Sequence, residues 1–340
     1  MLREWRNAGR SGCRLVELPR LFATLLAVVT IFGVSQAQAF PDKHITLIVP
    51  YAAGGATDSI ARVIAEHMSA SLGKQVIVEN VGGGAGSIGA TRVARAAPDG
   101  YTIMLNQMGL ATVGSLLQGL QFDASRDFTG VALVNVGPAV IVGHKDIPAT
   151  TIAELQAWMK NAGRPIRIGH PGPGTYGHLS MLIFAQALGV KVDMIPYRGG
   201  GPALNDNLAG HIDMHTASLM AAAGHIRAGT LKGFGLTSRD TVELLPQVPS
   251  LVTAGLKEMD IPFWHAVFAP AQTPRAVIDR LNQAVRQAVV DPKVSKTFKD
   301  NGLNAYPVEQ QTPEAATALL RGEIDRWREV IRANKIEGAQ

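Results

Sequence analysis

Short apolar runs alternate with amphipathic stretches along the chain from residue 45 onward, and this alternation constrains the fold more than any other feature. Runs such as Ile45–Val49 and Ile166–Ile168 have the length of strands, and stretches such as Ile60–Leu72 have the spacing of helices. Repeated strand–helix units build mostly parallel sheets flanked by helices. We therefore expect an α/β fold with mostly parallel sheets.

No long linker interrupts this pattern, so two domains would have to be joined by the strands themselves. The candidate crossings are Asn135–Val140 and Ile261–His265. They divide the chain into a discontinuous domain 1, residues 40–138 and 263–340, and a domain 2, residues 139–262. The last seventy residues contain only helical patterns.

The first 39 residues have the pattern of a secretory signal peptide. Five arginines form a basic region before an apolar run, Leu21–Val34. Ala37–Ala39 is an A-x-A site, with cleavage expected before Phe40. The alternative, a membrane anchor, is disfavoured because the run is too short to span a bilayer. We expect a periplasmic mature protein.

The mature chain has no cysteine, since Cys13 lies in the leader. Disulfides, cysteine nucleophiles and thiolate metal sites are therefore excluded. The whole chain has a net charge of +5, but the leader holds five arginines and two glutamates, which leaves +2 for the mature part. This near-neutral balance does not indicate nucleic acid or a membrane surface as a partner.

Glycine-rich or polar turns follow five of the predicted strands. Ligands of open α/β sheets bind outside the carboxyl ends of the strands, so five such turns predict a ligand site at that edge. The turns are Ala52–Asp58, Gly82–Gly89, Gly169–Thr175, Tyr197–Pro202 and Thr216–Ser218, the last after a strand predicted at 212–215.

The first turn has the pattern strand, glycine turn, helix start, which presents free backbone N–H groups and a positive helix-dipole end to an anion. The hydroxyls of Thr57 and Thr175 could each cap a helix or bond a ligand oxygen. Asp58 is better explained by first-turn dipole chemistry than by acid catalysis. Arg198 could pair with a carboxylate or lie in solvent.

Other chemistries are poorly supported. Gly84–Gly89 matches a dinucleotide fingerprint, but no acidic residue follows where the ribose would need it, and the phosphate-loop lysine is missing. His211 and His215, on one predicted strand, would lie about 13 Å apart, too far for one metal. No G-x-S-x-G elbow surrounds Ser87 or Ser218. We expect no cofactor, no metal site and no catalytic residue.

The chain resembles the substrate-binding proteins of tripartite tricarboxylate transporters, the Bug receptor family, over nearly the whole mature length. The motifs that carry the resemblance are Pro41–Lys43, Val49–Asp58, Val78–Asn80 with the glycine turn behind it, Ala97–Thr102, Pro196–Gly199, Ala228–Lys232 and Ala269–Pro274.

The resemblance implies a two-lobed periplasmic-binding-protein fold of type II that closes on its ligand. It implies a carboxylate held between one turn of each lobe, Ala53, Gly54, Gly55, Thr57 and Asp58 on one side and Gly174, Thr175 and Tyr176 on the other. Asn106, Arg198, Ser218 and Trp264 are weaker candidates for the variable end of the ligand. The implied ligand is a di- or tricarboxylate or an aromatic acid, and the implied protein partners are the membrane permease subunits. We expect the receptor to be a monomer and not an enzyme.

Two positions depart from the family pattern. Thr216–Ser218 stands where an acidic or amide residue is common, so we expect a plain carboxylate rather than an amino acid. His170 and Pro171 replace small residues before the second turn. Two alternatives stay open: a sensor that presents a carboxylate to a membrane signalling partner, and a serine hydrolase that uses Ser87 or Ser218.

Overall fold

The computed structural model describes residues 40–300, 302–334 and 336. The signal peptide predicted at residues 1–39 lies outside these residues. The chain from Pro41 onward forms one compact unit. Among the helices in the described residues, none combines the length and apolar character that crossing a bilayer requires.

The first sheet contains six strands in the described part of the chain. They are β1 (Ile45–Val49), β2 (Val76–Asn80), β3 (Thr102–Gln107), β4 (Phe128–Gly137), β10 (Phe263–Pro270) and β11 (Asn304–Ala305). Their spatial order is β11-β4-β10-β3-β1-β2. The second sheet, five strands within the same residues, has the order β7-β6-β8-β5-β9. Its strands are β5 (Ala139–His144), β6 (Ile166–His170), β7 (Val192–Pro196), β8 (Met214–Ser218) and β9 (Leu231–Leu236).

The α/β architecture is confirmed: in each sheet most of the described strands run in one direction, and β10 and β11 in the first sheet and β5 in the second run against them. In the first sheet β1 is parallel to β2 and β3, whereas β10 is antiparallel to β3 and β4. In the second sheet β6 is parallel to β7 and β8, whereas β5 is antiparallel to β8 and β9. Both β5 and β10 follow a passage of the chain from one sheet to the other. Each of these two strands is therefore antiparallel to the two strands beside it, β10 to β3 and β4, and β5 to β8 and β9.

The helices lie between the strands and after β10. They are α1 (Ala56–Leu72), α2 (Ser87–Ala94), α3 (Gly109–Leu116), α4 (Ile152–Asn161), α5 (Tyr176–Leu188), α6 (Gly200–Leu208), α7 (Leu219–Arg227), α8 (Arg275–Val290), α9 (Pro292–Asp300) and α10 (Pro313–Ala333). Local signals explain two starts: a complete capping box begins α4 at Thr151, and Thr312 caps α10 ahead of Pro313. Thr273 precedes Pro274 as Thr312 precedes Pro313, but it does not cap α8. Its hydroxyl donates to the Pro270 carbonyl, and Pro274 is the N-cap of α8.

Two further expectations are wrong for identifiable reasons. The last seventy residues are not all helical, because β11 adds two residues to the edge of β4, too few to show a period in the sequence. The strand predicted at 212–215 runs instead over Met214–Ser218. The polar residues Thr216–Ser218 are thus the end of β8 and not a turn.

Candidate ligand-binding site

A cavity lies between the two sheets and is lined by residues from both. It offers about 60 Å³ to the centres of water-sized molecules. A cavity of this size holds several waters or one compact small molecule. The cavity meets the carboxyl ends of β1, β3 and β8, the edge where the sequence predicted a site.

Four helices in the described part of the chain begin at this cavity: α1, α5, α6 and α7. The N-caps of the first three, Gly55, Thr175 and Gly199, make no side-chain hydrogen bond to the helix start. In α7, Ser218 accepts the N–H of Ala221. Uncapped N–H groups and converging dipole ends favour an anion. Among the described residues that line the cavity there is no lysine or arginine.

Asp58 organises the first turn. Its Oδ2 accepts the Gly54 N–H at 3.0 Å and the Arg62 Nε–H at 3.1 Å, and its Oδ1 lies 3.0 Å from Arg62 Nη2. Burial raises the pKa of Asp58, but the hydrogen bonds from Arg62 and Gly54 outweigh it, and the net pKa is lowered. Asp58 is therefore an ionised residue that holds the turn through Oδ2, whereas its buried Oδ1 has no hydrogen-bond partner among the described residues.

Thr57 lines the cavity, and its hydroxyl is engaged from behind. The Oγ1 of Thr57 lies 3.3 Å from Nε2 of His265, and Nδ1 of His265 lies 3.0 Å from Oδ1 of Asn135. His265 and Asn135 face each other on β10 and β4 and are fully buried. Burial lowers the pKa of His265 to about 3, so the ring is neutral. What Thr57 offers the cavity is thus chiefly its backbone N–H.

The second turn is held by two histidines. The Gly172 N–H donates to Nδ1 of His170 at 3.2 Å, and the Gly174 N–H donates to Nδ1 of His178 at 3.1 Å. An accepting Nδ1 requires a neutral ring that carries its proton at Nε2. Burial lowers the pKa of both rings, that of His178 to about 3. The Thr175 hydroxyl donates to the Gly172 carbonyl at 2.7 Å, which closes the turn.

Backbone contacts between turns of the two sheets form one rim of the cavity. The Ala52 N–H donates to the Arg198 carbonyl at 3.1 Å. A Cβ at Gly201 would lie 2.9 Å from the Ala53 carbonyl oxygen. Such distances require glycine, because real Cβ atoms do not approach a backbone atom so closely. The contribution of Arg198 to this rim is its carbonyl group.

The structure brings some of the sequence-predicted residues to the cavity and places others elsewhere. The cavity is lined by Gly55, Thr57, Asp58, Tyr176 and Ser218. The residues outside its lining are Ala53, Gly54, Asn106, Gly174, Thr175, Arg198 and Trp264.

Trp264, expected at the variable end of the ligand, bonds a residue of α10 instead. Its indole N–H donates to Oε2 of Glu323 at 3.2 Å, and the indole of Trp327 donates to the same atom at 3.0 Å. Trp264 is 1% exposed and packs towards α10 rather than the cavity. The Oδ1 of Asn106 accepts a hydrogen bond from the hydroxyl of Tyr51 at 3.1 Å.

Several lining residues were missed by the sequence interpretation, among them Tyr51, Gln107, His215 and Phe263. Gln107 ends β3 at the predicted edge, so the strand-end rule could have found it. Phe263 begins β10, whose antiparallel direction the sequence did not show. The described residues contain no group of three or more His, Cys, Asp or Glu that could hold a metal ion.

Known proteins show the same fold and family. Residues 60–336 match the family model described as tripartite tricarboxylate transporter family receptor. A UPF0065 protein of Agrobacterium vitis is 36% identical over 333 residues, which cover 96% of each chain. The periplasmic binding protein BugD superposes with a TM-score of 0.85 at 34% identity, covering 88% of this chain and 100% of BugD. MatC from Rhodopseudomonas palustris with bound malate gives a TM-score of 0.83 at 31% identity, covering 86% and 100%.

The match of the family model to most of the chain and the high identity to a full-length relative agree with the two-sheet architecture. The chain belongs to the tripartite tricarboxylate transporter receptor family and is a solute-binding receptor with the fold of its periplasmic binding proteins.

Proposed function

We propose that the chain is exported to the periplasm, binds an organic carboxylate in the cavity between its sheets, and delivers it to permease subunits of a tripartite tricarboxylate-type transporter. One observation carries the proposal: helix starts from both sheets converge on a cavity without a lysine or arginine in its described lining. An anion held there is bound by backbone N–H groups and helix dipoles. Malate bound to MatC supports a carboxylate.

The carboxylate lies between the start of α1 and the start of α5 in this proposal. Gly55, Thr57 and Asp58 line the cavity from one sheet, and Tyr176 and Gly177 from the other. Each carboxylate oxygen can accept from one helix start, which suits a planar anion placed between them. Gly54, Gly174 and Thr175 shape the two turns without lining the cavity.

The proposal includes closure of two lobes, residues 40–138 with 263–340 and residues 139–262. Its support is that each lobe would hold one sheet, and that the chain passes between sheets at Pro138 and before Phe263. A ligand that touches both lobes favours the closed state by its differential affinity.

We assign no catalytic step to the cavity. The Ser218 hydroxyl accepts the Ala221 N–H at 3.2 Å, and in the described residues neither Ser87 nor Ser218 hydrogen-bonds a histidine. A sensor would use the same binding step and would differ in its partner. Coprecipitation of the liganded protein with a sensor ectodomain instead of a permease would indicate that alternative.

A thermal-shift screen of the mature chain with malate, adipate, citrate, benzoate and aspartate tests the proposal. An acid at 100 times its Kd adds about 2.7 kcal/mol to the free energy of unfolding, a readily measured shift. Stabilisation by no acid would refute carboxylate binding, and stabilisation by aspartate alone would refute the expectation of a plain carboxylate.

A matched pair of variants locates the site. Ala221→Asp places a carboxylate at the cavity wall in the first turn of α7, where an acidic residue also favours the helix. Met220→Asp places the same charge in the same turn outside the cavity lining. We expect the ligand-induced shift to vanish in Ala221→Asp and to persist in Met220→Asp. The reverse result would place the ligand elsewhere.

A further inference from the structure

His215 is a buried polar residue of the cavity wall whose role is not explained by the carboxylate site. It lies in β8 opposite Val142 of β5 and Gly169 of β6, is 2% exposed and lines the cavity. Burial lowers its pKa to about 3, so the imidazole is neutral near pH 7. A neutral imidazole has one N–H donor and one bare acceptor nitrogen, and the neighbouring groups decide which is which.

Asn207 fixes the tautomer of His215. The amide Nδ2 of Asn207 donates to the carbonyls of Ile212 at 3.2 Å and Asp213 at 3.0 Å. These two bonds fix the orientation of the amide, because a carbonyl oxygen in the place of Nδ2 would face two other carbonyls. The Oδ1 of Asn207 therefore lies towards Nδ1 of His215, at 3.2 Å. Since Oδ1 only accepts, Nδ1 carries the proton and Nε2 is the bare acceptor.

The protein leaves that acceptor without a donor. In the part of the chain that the structure describes, Nε2 of His215 has no hydrogen-bond partner. The neighbouring hydroxyls of Thr216 and Ser180 bond each other at 2.8 Å. Lining residues such as Pro171, Leu204 and Ala217 carry no side-chain donor. Nε2 is not among the fully enclosed atoms that lack a partner in the described residues, so it is open to the cavity, and its partner is expected to come from there.

We propose that the ligand is a compact hydroxy acid, whose carboxylate lies at the helix starts and whose hydroxyl donates to Nε2 of His215. This proposal rests on the proposed function and narrows its ligand class. A second carboxylate is disfavoured at this position, because it would face a lone pair without a proton. An ammonium group could also donate to Nε2, and a comparison of alanine with lactate distinguishes it from a hydroxyl.

Matched acid pairs test the inference by calorimetry: lactate with propionate, 3-hydroxybutyrate with butyrate, and malate with succinate. We expect the hydroxy acid of at least one pair to bind at least fivefold more tightly than its partner without the hydroxyl. The variant His215→Phe keeps a ring and removes the acceptor, so its preference within the pair should fall to about one. The control His225→Phe, a half-buried residue of α7 outside the cavity lining, should keep the wild-type preference.

The tautomer gives a readout that does not depend on any ligand or on the folding of a variant. Nitrogen-15 NMR of the unliganded chain at pH 7 should show His215 protonated at Nδ1 and bare at Nε2. Protonation at Nε2, or an imidazolium ring, would overturn the inference. So would equal binding within every pair, or tighter binding of alanine than of lactate, and either result would leave the carboxylate receptor intact. Binding of none of these acids would count against both proposals.

Discussion

Gly201→Ala tests the close approach of the two turns at the rim of the cavity. Gly201 lies in the first turn of α6, where an added Cβ would come 2.9 Å from the Ala53 carbonyl oxygen and 3.2 Å from the Gly54 carbonyl carbon. Alanine is a better helix former than glycine, by about 1 kcal/mol in a helix interior. The substitution therefore favours α6 but opposes the contact between the turns.

The size of the effect on binding depends on whether the added Cβ clashes in the liganded state, in the unliganded state or in both. Forcing one extra carbon into a packed contact costs about 1–3 kcal/mol. If only the closed, liganded state brings the turns together, that cost appears in the binding free energy. At 1.4 kcal/mol per tenfold, Kd rises roughly 5- to 150-fold. In that case the turns are apart without ligand, and the unliganded protein should lose little stability.

Calorimetric titration with the acid that stabilises the wild-type chain most measures this effect. Gly224→Ala is the matched control, since Gly224 lies inside α7 with no atom within 4 Å of an added Cβ. The control should raise the melting temperature and leave Kd unchanged. If Gly201→Ala also bound with the wild-type Kd, the turns would not need to approach on binding, and the argument for closure at this rim would be wrong.

Three further predictions concern stability. Burial raises the pKa of Asp213, but hydrogen bonds from two arginines outweigh it and lower the pKa to about 2. The ionised carboxylate therefore stabilises the fold above about pH 4, and this stabilisation is lost as the pH falls towards 2. Asp213→Asn should cost about 2 kcal/mol in urea unfolding at pH 7 and less in acid. Glu323→Ala removes the acceptor of two buried indole N–H groups and should cost about 2–4 kcal/mol of stability without changing Kd. A changed Kd would instead indicate that one of the indoles contacts the ligand. Burial lowers the pKa values of His178, His215 and His265 to about 3, so the unfolded state binds more protons between about pH 6.5 and 3. The free energy of unfolding should therefore decrease as the pH is lowered across that window. His215→Phe should reduce the slope of this free energy against pH by up to about 1.4 kcal/mol per pH unit.

Local patterns predicted the parts of the site that depend on local backbone geometry. The glycine turn at Ala52–Asp58 and the start of α5 after Thr175 are local, and the rule that ligands bind at strand ends placed them at one edge. Gln107 follows the same rule at the end of β3. These elements needed only the order of strands and helices along the chain.

Side-chain direction could not be predicted in the same way, because it depends on distant partners. Thr175 turns its hydroxyl into its own loop, and Trp264 points to Glu323, a partner 59 residues away. The direction of β10 follows from the passage of the chain between the sheets, and its register with β4 shifts between His265 and Ala266. The acceptor nitrogen of His215 depends on Asn207, eight residues earlier and on another element.

The central claim, that helix starts from both sheets hold a carboxylate between them, is tested most directly by a crystal structure of the mature chain with its tightest-binding acid. The account predicts carboxylate oxygens about 3 Å from backbone N–H groups at Thr57 or Asp58 and at Tyr176 or Gly177. An acid held by a lysine or arginine side chain, or bound outside the cavity, would contradict it.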